Sequence, residues 1–250
     1  MFDLQQFSNI APEWAPRLHY HQELVSTNDE AQQLCEGGAK DLTVVLADHQ
    51  LAGRGRRGAE WLSEAGAGLL FSLIFKPDYP KEFWGRLALA TGLGIATALR
   101  EQWQLPAEVK WPNDVMIEGK KCCGILVETQ QNYAVIGIGI NITGSPGGED
   151  SVSLRELTPH GGSREEILAD LLDFVVRELQ DCVRGFDAQL RRIHEICYLR
   201  RQGISFHSAG KEYSGEMLGI SPQGELSVLI DGENLTFSQA DTIRATGPFT

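Results

Sequence analysis

The sequence predicts an α+β fold, a mixed or antiparallel β-sheet with helices packed on it, followed by a small β-barrel. Three observations predict it. Four short apolar segments between 108 and 140 are separated only by turn-forming residues, the pattern of a β-meander. Long helical patterns lie on either side of that meander. From about residue 202 the texture changes to short alternating segments and Gly-rich turns.

Residues 1–20 hold two of the ten prolines and show no clear period, so an irregular lead-in is expected. Thr27 to Glu30 reads as a Thr-x-x-Glu capping box opening a helix that stops at Gly37-Gly38. Leu42 to Ala47 is apolar and β-branched, hence a strand. Residues 48–68, rich in glycine, alanine and arginine, make a loop long enough to expect a function for it. Leu69 to Phe75 is a second strand, and a helix is expected from about Lys81 to Gln104, after Pro80. Within it the apolar run Leu87–Leu99 is shorter than the roughly 20 residues that span a bilayer and lies between Arg86 and Arg100.

The meander strands are expected at 108–111, 115–117, 124–128 and 134–140, joined by Pro-Asn-Asp, Glu-Gly-Lys-Lys and Gln-Gln-Asn turns. Gly137 and Gly139 in the last strand suggest close approach of backbone or ligand. A loop at 143–150 and a short helix precede a second capping box, Ser163 to Glu166. That box opens a long amphipathic helix to about Val183, and another follows over roughly 187–200. The domains therefore read as 1–20 lead-in, 21–201 main domain and 202–250 terminal barrel.

Charge and cysteine content exclude several functions. With 22 basic and 34 acidic residues, a net of -12, the chain does not suit general nucleic-acid or anionic-membrane binding. A local basic loop can still serve a small anionic ligand. The five cysteines show no Cys-x-x-Cys or metal spacing and suit a reduced, cytoplasmic protein with no tightly bound metal. The N-terminus has no signal-peptide pattern. The six histidines form no triad or metal pattern.

Three strings carry the chemistry. Gly53-Arg54-Gly55-Arg56-Arg57-Gly58 matches the G-x-G-x-x-G pattern, but no strand ends at its first glycine and no helix follows, so a dinucleotide site is not expected. Three arginines within four residues repel one another and gain order when an anion arrives. In Lys110-Trp111-Pro112-Asn113-Asp114, the proline stiffens a turn and fixes the polar groups after it. Lys121, at the end of a turn before the buried Cys122-Cys123-Gly124-Ile125-Leu126-Val127, is aimed at the sheet rim as a compact charge for a phosphate oxygen. Such parts suit activation of a carboxylate on a nucleotide phosphate.

In this order, and with Gly137-Ile138-Gly139-Ile140-Asn141, Ser26-Thr27-Asn28 and Gln50, the strings resemble those of biotin protein ligases from about residue 20 to the C-terminus. The resemblance implies the class II aminoacyl-tRNA synthetase-like catalytic fold with an SH3-like terminal barrel. It implies a two-step reaction: biotin and Mg-ATP give biotinyl-5′-adenylate and pyrophosphate, and a lysine of a biotin carboxyl carrier protein then displaces AMP. It places Ser26, Thr27, Asn28, Gln50, Gly53, Arg54, Arg56, Lys121 and Gly124 at biotin, and Arg56, Arg57, Trp61, Lys110, Asn113, Asp114 and Asn141 at the nucleotide. Lys121 and Arg56 are the catalytic pair, and the Mg²⁺ ligands are left open. The resemblance allows a monomer or a homodimer. Only about 20 residues precede the main domain, without a helix-turn-helix pattern, so no DNA-binding repressor role is expected. Ala59-Glu60 follows the third loop glycine where some members carry a basic residue.

Overall fold

The computed structural model describes residues 1–158 and 161–248; of the histidines, His160 lies outside them. Helix α1 (Leu4–Ile10) leads through β1 (Leu18–Leu24), α2 (Thr27–Glu36), β2 (Val44–Gln50), β3 (Gly68–Phe75) and α3 (Arg86–Glu101) to the meander β4 (Ala107–Lys110), β5 (Asp114–Ile117), β6 (Lys120–Gln130) and β7 (Tyr133–Asn141). These strands form one sheet in the order β1-β2-β3-β7-β6-β5-β4, with only β1 and β2 parallel. The mixed α+β class is as expected.

Alternation along the strands divides the sheet's two faces. Val44, Leu46, Leu73, Phe75, Ala134, Ile136 and Ile138 belong to the main core, with α3 and the 21-residue α5 (Arg164–Arg184). Val45, Ile74 and Val135, of opposite parity, pack on Ala31 and Cys35 of α2. Ser163 and Glu166 form the reciprocal cap expected at the start of α5. Short α4 (Leu154–Leu157) precedes α5, and α6 (Asp187–Glu195) follows it. No helix among the described residues is long and apolar enough to cross a membrane.

After α6 come β8 (Gln202–Ser208), β9 (Lys211–Ile220), β10 (Leu226–Ile230), β11 (Glu233–Phe237) and β12 (Asp241–Pro248), a five-stranded antiparallel sheet ordered β11-β10-β9-β8-β12. Phe206, Tyr213 and Phe237 fill it, with ring centroids 4.8 to 5.5 Å apart. Hydrogen bonds seat it on the larger unit, among them Trp111 Nε1 donating to Gly224 O at 2.9 Å and Ile220 N donating to His194 Nε2 at 2.9 Å.

Several local expectations are corrected. Residues 1–20 are not irregular: Asp3 caps α1 through Gln5 N and Gln6 N, and Phe2, Phe7, Ala11 and Trp14 are buried. The start of β1 falls in the same stretch, and as a half-exposed edge strand it carries little apolar pattern. Ser26, not Thr27, is the cap residue of α2, because Gln50 and Ser72 engage the Thr27 hydroxyl. A 3₁₀ turn at 81–83 is separate from α3, which begins at Arg86 and ends at Glu101. The chain leaves α6 at Glu195 because Ile196 O and Tyr198 N pair with Val109, covering the edge of β4. Strand β6 starts at Lys120, so Lys121 is a strand residue rather than a turn residue.

Candidate active site

The cavity begins with missing side chains. On the sheet face that carries α2, Gly124 pairs with Gly139 and Leu126 with Gly137 across β6 and β7. A Cβ on Gly137 would come within 3.0 Å of Asn28 Cγ, and one on Gly139 within 2.6 Å of Trp61 Cζ2. The glycines thus lower the floor so that Asn28 and Trp61 can lie on it. Above the floor is a cavity of about 380 Å³, within the size range of small-molecule sites.

One end of the cavity is a closed hydrogen-bond network. Gln50 Oε1 accepts from Thr27 N (2.7 Å) and Thr27 Oγ1 (3.0 Å). Ser72 Oγ donates to Asn28 Oδ1 (2.6 Å), and Asn28 Nδ2 donates to Glu128 Oε2 (2.6 Å). Glu128 also accepts from Gln32 (3.1 Å) and from two nitrogens of Arg54 (3.2 and 2.8 Å), while Arg54 Nη1 reaches Asp29 at 2.7 Å. Burial works against its charge, but the hydrogen bonds it donates to Glu128 and Asp29 prevail and raise the Arg54 pKa. Ser26, buried at the start of α2, makes no cap hydrogen bond with its hydroxyl, which is left for a ligand.

The other end is cationic. Lys121 Nζ lies 2.7 Å from Asp114 Oδ1 and 5.6 Å from the centroid of the Trp61 ring. The approach to Asp114 is an ion pair without a directed hydrogen bond. Burial lowers the pKa of Lys110; Lys121 adds to this, while Asp114 and Asp150 oppose it. Burial and then the charge of Arg57 lower that of Arg56, again against Asp114. Among the described residues the Arg56 guanidinium makes no hydrogen bond or ion pair. Cations held this way are free to turn to an incoming anion.

Ser26, Thr27, Asn28, Gln50, Arg54, Arg56, Trp61, Lys110, Asn113, Asp114, Lys121 and Gly124 all line this cavity. Asn113 also ties the turn to β6, its Nδ2 donating to Ile125 O at 2.7 Å. Three residues named from the sequence do not line it. Gly53 stands behind, where a Cβ would meet Trp61 O at 2.7 Å. Arg57 turns outward to Asp241 and Gln239. Asn141 is buried and donates to Lys121 O (3.4 Å) and Val152 O (3.3 Å), holding the strand that carries Lys121. The sequence reading did not place Asp29, Gln32, Ser72 or the residues 240–243 at the site. Polar residues on an otherwise apolar strand, such as Ser72 in Gly68–Phe75, are the one signal that could have found them. Cys122 and Cys123 are buried, and burial pushes the Cys122 thiol up to about 12, which removes it as a nucleophile.

Comparison with known proteins follows the same geometry. A profile of the Biotin/lipoate A/B protein ligase family matches residues 22–142. The biotin--[acetyl-CoA-carboxylase] ligase of Mycobacterium tuberculosis is 33% identical over 231 residues, covering 87% of this chain and 85% of that protein. The bifunctional ligase/repressor BirA of Bacillus subtilis is 40% identical over 134 residues, and that match covers 52% of this chain but only 41% of the length of that relative. Among solved structures, the biotin protein ligase from Aquifex aeolicus in complex with biotin and ATP superposes with a TM-score of 0.81 at 28% identity, covering 92% of this chain and 99% of that one.

Proposed function

The chain belongs to the biotin protein ligases of the biotin/lipoate A/B protein ligase family, and we propose that it activates biotin with ATP and transfers it to a lysine of a biotin carboxyl carrier protein. The observation that carries this reading is the single cavity with two unlike ends, a hydrogen-bonded polar network at Ser26–Asn28 and a cluster of cations at Arg56, Lys110 and Lys121. Biotin pairs a compact apolar ring system bearing a ureido group with a carboxylate. The network and its glycine floor suit the ring, and the cations suit the carboxylate and the nucleotide phosphates.

In the first step a biotin carboxylate oxygen attacks the α-phosphorus of ATP, and the bond to pyrophosphate breaks. Bringing the two anions together can supply roughly 7–11 kcal/mol of the barrier. Lys121 and Arg56 neutralise the charge that gathers on the phosphate. In the second step the acceptor lysine's amine attacks the acyl carbon, the bond to AMP breaks, and the nitrogen loses a proton. Asn113 and Asp114 stand at the nucleotide end, where Trp61 offers an aromatic face.

Mg²⁺ accompanies ATP in such reactions, and the residues present fit it. Asp114 Oδ1 is a carboxylate oxygen with no hydrogen-bond donor, beside the cations. Asp114 would hold such an ion together with the substrate phosphates. Such an ion draws charge from the phosphates when bound. A reaction that consumes ATP fits a cytoplasmic setting, and the five free, buried cysteines agree.

Titration calorimetry with biotin, with and without Mg-ATP, followed by mass spectrometry of the bound material, tests the reading. Biotinyl-adenylate in the cavity is expected. Lipoyl-adenylate formed in preference from an equimolar mixture of the two acids would move the chain to the lipoate branch of the family.

A further inference from the structure

The small terminal sheet reaches the cavity: Ala240, Asp241, Thr242 and Ile243 line its mouth. Asp241 forms an ion pair with Arg57, and Arg57 Nη2 donates to Gln239 Oε1 at 3.3 Å. That end is itself anchored, since Ser208 Oγ donates to Gln239 O at 2.7 Å and His207 Nδ1 lies 3.1 Å from Thr242 Oγ1. The arginine loop is thus fastened to β8 and β12 across the cavity mouth.

The backbone of the loop holds Arg57 in a strained conformation. Arg54 bridges Glu60, Gly55 N donates to Ala59 O at 2.6 Å, and Ala59 N donates to Arg56 O at 3.1 Å, a tight hairpin. Its central residues are Arg57 (φ 55°) and Gly58 (φ 77°). Two successive positive φ values favour Asn, Asp or Gly in the first position, and arginine is strained there. What arginine adds is reach: its guanidinium extends to Asp241 while its neighbour Arg56 lines the cavity.

Building on the biotin ligase reading, we propose that Asp241 is a positioning residue. Through Arg57 it holds the arginine hairpin shut over the cavity, turns Arg56 inward and slows escape of the activated intermediate before the acceptor arrives. The contact suits a latch rather than a permanent brace. Arg57 and Asp241 side chains are 47% and 32% exposed, so their attraction is modest and screened by salt. The hairpin can open whenever the acceptor docks.

The test uses the full chain in four forms: wild type, Asp241→Asn, Arg57→Asn and the double variant. Arg57→Asn suits the turn but lacks the reach. Without acceptor, the rate at which adenylate appears in free solution is expected to rise about two- to fivefold in each single variant, and no further in the double variant. Unchanged escape in Asp241→Asn, or effects that multiply in the double variant, would overturn the proposal. A second readout needs no catalysis. Hydrogen exchange at the Gly55 and Ala59 amides is expected to quicken in Asp241→Asn without any substrate, and the exchanged pair Arg57→Asp with Asp241→Arg is expected to slow it again. Equal protection in wild type and Asp241→Asn would also sink the latch. If the wild type forms no biotinyl-adenylate, the ligase reading fails, while the exchange experiment still decides whether the latch exists.

Discussion

At the Ser26–Asn28 end of the cavity, Thr27, Asn28, Gln50, Arg54 and Glu128 are already bonded to one another. At the other end Lys121 has one undirected ion pair and the Arg56 guanidinium has no hydrogen bond or ion pair among the described residues. The first end is finished before any ligand arrives and selects by shape and hydrogen bonding. The second carries cations whose partner is the reaction's own charge. An enzyme gains rate only from contacts that strengthen in the transition state, so the under-satisfied end is where catalysis should reside. The satisfied end should set affinity.

The largest expected effect sharpens that division. Lys121→Ala removes a cation aimed at developing phosphate charge, and adenylate formation should fall about 10²- to 10³-fold. Biotin affinity should stay within a few-fold of wild type, because the recognition network does not include Lys121. Single-turnover rates alongside biotin titration separate the two quantities. Biotin binding that collapses together with the rate would show that the two ends are not independent.

The two ends also differ in how far the sequence revealed them. The cationic end comes from short local strings, Arg56 in the arginine loop, Lys110–Asp114 and Lys121, so local chemistry and turn propensity were enough to assemble it. Gly137 and Gly139 likewise announced a close approach, and Asn28 and Trp61 are what approach them. Glu128, by contrast, read as merely structural. Its partners lie 74, 96 and 100 residues away, and no local pattern encodes a carboxylate serving Arg54, Gln32 and Asn28 at once. The same holds for Asp241, which faces Arg57 only because the terminal sheet docks through Trp111 and His194. The edge strand β1 was hidden for another reason. A strand with no fully buried residue, half-buried at Leu18, Tyr20, His21 and Leu24, shows too little apolar alternation to separate it from a loop.

A middle-sized effect is expected from Glu128→Gln. The amide keeps the volume but loses the charge, and its Nε2 would face the donors of Arg54 or Asn28. Charge-assisted hydrogen bonds contribute about 1.5–3 kcal/mol each, so biotin affinity should weaken about tenfold or more. The rate from the saturated complex should change far less. A variant that binds biotin normally but reacts slowly would reverse the roles assigned to the two ends.

The smallest effect concerns pH and sets binding against stability at a single residue. Burial lowers the Lys110 pKa, and Lys121 adds to this despite opposition from Asp114 and Asp150. Lys110 therefore loses its proton in the alkaline range before an ordinary lysine does. Between its folded value and 10.5 the unfolded chain binds more protons than the folded one, so stability of the empty protein should rise with pH across that window. Nucleotide binding should move the other way, because the same deprotonation removes a cation. The KM for ATP should climb about threefold over that window, a size set by one partly screened charge. Lys110→Arg keeps its charge throughout and should flatten both trends. A KM that rises equally in the wild type and in Lys110→Arg would assign the titration to another group at the cationic end.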